Sequence, residues 1–190
     1  EFAANWQLTI EFLKLLTARW PEELARLHLT DAAARRNLLL AAQTAAWKTT
    51  PPGGPVIAAG STGSIPATAA LLDTVARLPQ GAVVLPGLDL DLDGESWAEL
   101  QPSHPQYGMK QLLARMRAGR EDVITWPGCK SGSPRTRLLS EALRPAETTQ
   151  RWRARLAVLA TEADAALDGL SLIEAPTQRD EALAIALAMR

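Results

Sequence analysis

Gly54-Pro-Val-Ile-Ala-Ala-Gly60-Ser-Thr-Gly-Ser-Ile-Pro66-Ala-Thr-Ala-Ala-Leu-Leu72, followed by Gln80-Gly-Ala-Val-Val-Leu-Pro86-Gly-Leu-Asp89, reads as strand, small-residue loop, helix and second strand. Val56 to Ala59 and Ala82 to Leu85 are short apolar runs with β-branched residues and turn residues at each end, the signature of buried parallel strands. Between them Pro66 suits a first helical turn, with Ser64 as its expected cap and Leu71, Leu72, Val75 and Leu78 facing the sheet. The loop Gly60, Ser61, Thr62, Gly63 and Ser64 puts backbone N–H groups and hydroxyls at a helix N-terminus, where α/β proteins hold phosphate. The competing reading is a plain tight turn.

The missing residues narrow the chemistry. A nucleotide-hydrolysing loop needs Gly-x-x-x-x-Gly-Lys-Ser/Thr, and here Gly63 runs through Ser64 into Ile65 with no lysine. Neither the Gly-x-Gly-x-x-Gly dinucleotide pattern nor a Gly-x-Ser-x-Gly nucleophile elbow is present. ATP hydrolysis by this loop is therefore not expected, and no residue is singled out as catalytic.

Upstream the pattern is helical. Trp6, Ile10, Phe12, Leu13, Leu16 and Ala18 fall close to a helical period, predicting an amphipathic helix over 3–19 that ends before Pro21. A short helix follows, with Glu22 and Glu23 near its N-terminus and Leu24, Leu27 and Leu29 inward. Thr30 is expected to cap a third over 31–47, burying Leu38, Leu39, Leu40, Ala42 and Ala46 and exposing Arg35 and Arg36. The Pro51-Pro-Gly-Gly-Pro55 cluster then marks the passage from an all-helical part to an α/β part.

Beyond Asp89 we expect a helical turn at 96–100, helices over 109–116, 136–143 and 149–168, and an extended piece at 123–126. The helix over 149–168 should bury Trp152, Leu156, Leu159, Ala160 and Leu167. Residues 170–174 read as a strand, and Thr177 with Asp180 and Glu181 as a capping arrangement for a last helix. The fold class is thus α/β: a helical segment followed by a partial parallel sheet with flanking helices.

At 190 residues the chain can bury a real core, and its formal net charge of -1 provides no global basic field for nucleic acid. Its one cysteine, Cys129, excludes an internal disulfide and fits a reducing compartment. With no apolar run of membrane length and no secretion signal, no membrane partner is expected and a cytoplasmic location is. The chain begins at Glu1 without an initiator methionine and its last helical pattern is still in progress at Arg190, as in a piece of a longer protein.

Four features carry possible chemistry. The run Asp89-Leu-Asp91-Leu-Asp93-Gly94-Glu95 imitates a calcium loop, but position twelve is Leu100 and a strand precedes it, so an EF-hand is rejected. Asp89 and Asp91 remain weak magnesium candidates against a solvated acidic turn, and no cofactor is expected. No downstream carboxylate and lysine share a strand in the way a nuclease of the Asp…Glu-x-Lys type needs. His104-Pro-Gln106-Tyr107 is a polar loop cluster in which Gln106 could contact a ligand, with hydrogen bonds that order the loop as the plainer reading.

The local basic concentration is Lys130, Arg135 and Arg137, with Arg115, Arg117 and Arg120 shortly before, read as phosphate contact or as a solvated face. The six tryptophans could stack bases, but most should anchor cores or interfaces.

Trp20-Pro21, Arg35-Arg36-Asn37, the 55–68 and 81–89 stretches, His104-Pro-Gln-Tyr107 and Ile173-Glu-Ala-Pro-Thr-Gln-Arg179 together resemble the alphaproteobacterial type of the AddB family, over nearly the whole chain. That family supplies the non-motor subunit of a helicase-nuclease that processes double-strand DNA breaks for recombinational repair. The resemblance implies a superfamily 1 helicase-like fold of RecA-like (P-loop NTPase-type) domains, with no nuclease portion in this chain. It divides the chain into a helical insertion over 1–50, a degenerate first RecA-like domain over 55–168 and the start of a second over 169–190. DNA and an AddA-like motor subunit are the implied partners.

Active helicases of that superfamily carry a Gly-Asp…Gln motif after the strand at Val56 to Ala59. Here Gly60-Ser-Thr-Gly-Ser stands there instead, which implies a helicase fold used for binding. A phosphate and magnesium enzyme using Gly60–Ser64 and the acids after Asp89, and a pure protein-docking module, are the alternatives.

Overall fold

A computed structural model describes residues 2–129 and 132–190. It is largely helical with one small parallel sheet. The chain forms two compact units: residues up to Leu88 together with Pro105–Ile124, and Asp89–His104 together with Thr125–Arg190.

The first unit contains the strand–helix–strand element that the sequence predicts. Strands β1 (Val56–Ala59) and β2 (Gly81–Val84) pair in parallel, with Val56 opposite Gly81 and Ala59 opposite Val84. A parallel pair needs a long crossover, supplied by helix α4 (Pro66–Ala76). Its Ala69, Leu72 and Val75 are buried, and Ala69 and Leu72 form a core with Leu112, against which Ala58, Val83 and Leu85 pack. The expected Ser64 cap is not used: Ile65 occupies the N-cap position and provides no side-chain bond, while Ser64 is exposed.

Gly81 is required by close approach. A Cβ at this position would lie 1.8 Å from the Val75 carbonyl oxygen, so only glycine lets the end of α4 turn into β2.

The N-terminal helices differ from expectation. Pro21 does not end the first helix: α1 (Phe2–Lys14) passes through a π turn at Leu15–Arg19 directly into α2 (Trp20–Arg26). The wide turn, closed by the Trp20 N–H on the Leu15 carbonyl, makes room ahead of a proline ring that would otherwise strike the carbonyl four residues earlier. The residues expected inward on this stretch, Trp6, Ile10, Phe12, Leu13, Leu16 and Leu27, are exposed, as is Leu29 after it; Leu24 is half-buried.

Helix α3 (Ala32–Thr49) is capped by Asp31, one residue later than expected, whose carboxylate accepts the Ala33 N–H at 2.7 Å. Leu40, Thr44 and Trp47 form its inward side, against α4. Leu38 and Leu39, expected in the core, are 65% and 60% exposed, and Ala42 and Ala46 are exposed too. The apolar residues of α3 are spread around the helix, so periodicity alone could not select a face.

Helix α6 (Tyr107–Met116) completes this unit, burying Met109, Leu112 and Leu113 and ending on Arg117 in a left-handed conformation. No strand forms at 123–126; Arg120–Asp122 is a single 3₁₀ turn and the residues after it pair with no other strand.

In the second unit α5 (Gly94–Ala98), α7 (Pro134–Ala142), a 3₁₀ stretch at Ala146–Arg151, α8 (Trp152–Leu167) and α9 (Gln178–Ala188) follow in order. Leu92, Leu100 and Ala166 are its buried apolar side chains. The last turn of α8 faces inward through Ala166, while Trp152, Leu156 and Leu167, expected inside, are exposed. Residues 170–174 form no strand, and Leu172 and Ile173 face outward. The capping arrangement at Thr177 is as expected: its hydroxyl accepts the Asp180 N–H and donates to the Asp180 carboxylate.

Candidate functional site

The glycine-serine loop lies between β1 and α4, within the first unit. The Ser61 hydroxyl accepts the Gly63 N–H at 3.3 Å, and the Gly60 N–H bonds the Val84 carbonyl at 3.3 Å, so the loop is closed on itself and on β2. Gly63 has φ +68, and a Cβ there would lie 3.1 Å from the Leu112 methyl groups. Gly108 meets Thr62 in the same way at 3.4 Å, so the start of α6 lies across the loop. The first turn of α4 has no side-chain cap. Gln106 sits beside this arrangement and donates from its amide to the Gly87 carbonyl at 3.0 Å, fixing the turn after β2.

The acidic run, Arg135 and Arg137 fall in the second unit, and Arg115, Arg117 and Arg120 in the first. Asp89 accepts the N–H groups of Asp91 and Leu92 at 2.9 Å each, closing a local turn. Among the described residues no group of three or more His, Cys, Asp or Glu is placed to hold a metal ion. His104 donates from Nε2 to the Leu143 carbonyl at 2.7 Å, the loop-ordering role.

Arg135 and Arg137 are both engaged within the unit. Arg135 donates to the Ala166 carbonyl at 3.0 Å and to the Asp168 carbonyl, closing the C-terminal end of α8 where carbonyls lack helical partners. Arg137 forms a two-pronged ion pair with Glu162, at 2.9 and 2.8 Å, and also bonds the Gly132 carbonyl. That contact raises the Arg137 pKa and lowers that of Glu162. Lys130 lies outside the described residues.

Sequence reasoning missed the most organised side-chain cluster in the molecule, which is centred on Arg144. This guanidinium is only 2% exposed and grips Glu141 with two bonds, Nε to Oε2 at 2.8 Å and Nη2 to Oε1 at 2.6 Å. Its Nη1 reaches the Asp93 carboxylate at 2.6 Å and also donates to the Ser96 hydroxyl. Ser96 donates in turn to Thr148 at 2.8 Å, and both are fully buried. Asp93 caps α5 by accepting the Ser96 N–H at 3.0 Å. Arg155 adds a bond to Glu141 at 2.9 Å, and Trp152 Nε1 donates to the Glu141 carbonyl at 2.9 Å.

A cleft of about 210 Å³ opens beside this cluster, lined by Asp91, Asp93, Arg144, Arg151, Ala154 and Arg155. Each of its guanidiniums already holds a carboxylate, Arg151 through Glu95. Burial works against ionisation of Asp93, but bonds from Arg144 and the Ser96 N–H outweigh it and hold the carboxyl down at about 2. Glu141 is likewise opposed by burial and lowered by Arg144 and Arg155. The bond to Glu141 raises Arg144 against its own desolvation. Each carboxylate of the cluster is held by guanidiniums within it, the arrangement of a structural clamp. Aspartate, glutamate and arginine at 93, 141 and 144 were visible in the sequence, but no local periodicity links residues 51 positions apart.

Comparison of the chain with protein-family models, with curated proteins and with solved structures finds no match. Among the described residues no helix is long and apolar enough to cross a membrane.

Proposed function

We propose that this chain is a DNA-contacting scaffold segment of a helicase-nuclease subunit of the AddB type, built on a degenerate RecA-like sheet that does not itself hydrolyse ATP. The observation that carries the reading is the β1–α4 junction. A parallel strand–helix–strand unit is the element from which nucleotide-binding sheets are made, yet its loop lacks the lysine that reaches the outer phosphates and is backed by Leu112. The resemblance of the quoted stretches to AddB supplies the biological setting.

With Arg135 and Arg137 spent on α8 and Glu162, DNA contact falls to Arg115 and Arg117 at the exposed end of α6. Phosphate neutralisation by such cations is salt-dependent, each contact adding to the slope of affinity against ionic strength. Anisotropy of a labelled single-stranded oligonucleotide should report binding at low salt that weakens steeply as salt rises. Arg115→Ala/Arg117→Ala should weaken it at least about fivefold, the loss of roughly two phosphate contacts. ATP with magnesium should leave the melting midpoint unmoved, because a ligand bound by the native state alone must raise it. A midpoint that rises with ATP would favour the phosphate-and-magnesium enzyme, and no binding to DNA at low salt would remove the DNA role.

A further inference from the structure

An open groove of about 510 Å³ runs along α3, within the first unit, lined by Ala32, Arg35, Arg36, Leu39, Leu40 and Gln43. Its walls are apolar and its N-terminal end is cationic. Arg35 and Arg36 are exposed, and neither has an ion-pair partner among the described residues. Nor does the helix dipole call for cations there, since it favours them only at the C-terminal end. Leu39, one turn on from Arg35, is exposed to water at 60% and lines the same groove as the two cations.

From these features we infer that the α3 groove docks an amphipathic helix of a protein partner, one that carries adjacent carboxylates a turn ahead of a leucine-type stripe. Arginine pairs carboxylates through two parallel bonds, which sets direction and register, and the stripe covers Leu39 and Leu40 in the helix-in-groove manner. Charge complementarity and apolar walls together favour an acidic helix over a phosphate backbone, which would gain from the arginines but leave Leu39 and Ala32 facing a charged ligand. This inference stands apart from the DNA reading, since it uses α3 and not the end of α6.

The test uses the full chain and a fluorescein-labelled, alanine-based helical peptide bearing Glu-Glu followed by leucines three, four and seven positions on. Saturable micromolar binding is expected, weakened at least about tenfold by Arg35→Glu/Arg36→Glu, the scale of close charge pairs at an interface. A second peptide with Lys-Lys in place of Glu-Glu should reverse the preference and bind the variant better than the parent. That swap separates docking from damage to the fold, and circular dichroism of the variant should match the parent because both side chains are exposed.

Absence of saturable binding, or equal binding by parent and variant, overturns the inference. So does displacement of the peptide by a single-stranded oligonucleotide that is lost in the variant, which would make the groove a phosphate site. Self-association of the chain that disappears in the variant would instead assign the groove to a second copy and overturn it as well. Oligonucleotide affinity of the Arg35→Glu/Arg36→Glu variant, measured alone, should equal the parent's, so failure here and failure of the DNA reading are told apart.

Discussion

The two compact units are held by different physics. Around α4 and the sheet, Leu72, Val75 and Leu112 pack an apolar core, and the buried hydroxyls Thr44 and Thr74 are satisfied by carbonyls four residues back on their own helices. Around Arg144 the buried groups are an arginine, a glutamate, a serine and a threonine, joined to partners as far as 52 residues away. The first arrangement is stabilised by removing carbon from water and fails gradually as volume is lost. The second has little apolar interior to fall back on: fully paired, its charges fix the positions of α5, α7 and α8, and with one partner missing they become buried liabilities.

The contrast is open to direct attack. The largest effect is expected from Arg144→Ala, which removes the two-pronged partner of buried Glu141, leaves it only the bond from Arg155, and should cost about 3–5 kcal/mol, read as a lower denaturant midpoint. If chemical denaturation of this variant resembled the parent, the clamp would be decorative. Leu112→Ala should cost about 2–4 kcal/mol through lost transfer energy and the cavity beside Gly63, at a site 1% exposed. It should do so equally at pH 7 and pH 3, since no titrating group takes part.

The smallest effect is the acid response, and it sharpens the comparison because it should be confined to the second unit. Asp93 has its folded pKa depressed to about 2 from an ordinary 3.8, and Glu141 is also lowered. The unfolded chain therefore binds protons first as pH falls. The stabilisation is complete above about pH 5 and is lost progressively between about pH 5 and pH 1, with Asp93 contributing about 1–2 kcal/mol after allowance for its partial exposure. Hydrogen exchange at pH 3 against pH 5 should show added opening at α5 and α7 after correction for intrinsic rates, with α4 and β2 unchanged; matched loss in both units would contradict the division.

The same division explains what the sequence discloses. The β1–α4–β2 unit was legible because its information is local: two short β-branched runs, glycines at the turns and a proline at a helix start. The Thr177 cap was legible for the same reason. Leu38 and Leu39 misled because α3 is apolar on several sides, and only the neighbour it packs against selects Leu40, Thr44 and Trp47. Arg135 and Arg137 read as a DNA patch because a run of cations gives no hint of the distant carboxylate or helix end that holds them. Residues 170–174 read as a strand from composition, yet a strand exists only with a paired neighbour, and the described chain places none there.

The π turn at Leu15–Arg19 acts as a phase corrector. Leu8, Phe12, Leu16, Trp20 and Leu24 recur every fourth residue, and in an uninterrupted α-helix such a ladder drifts around the axis by about 40° per rung. One wide turn in the middle takes up that drift, keeping a single greasy ridge along both halves of the rod. Deleting one residue there would return the helix to regular winding with both halves still in phase, whereas regular winding with every residue kept would swing the N-terminal rungs roughly a quarter turn from those that follow.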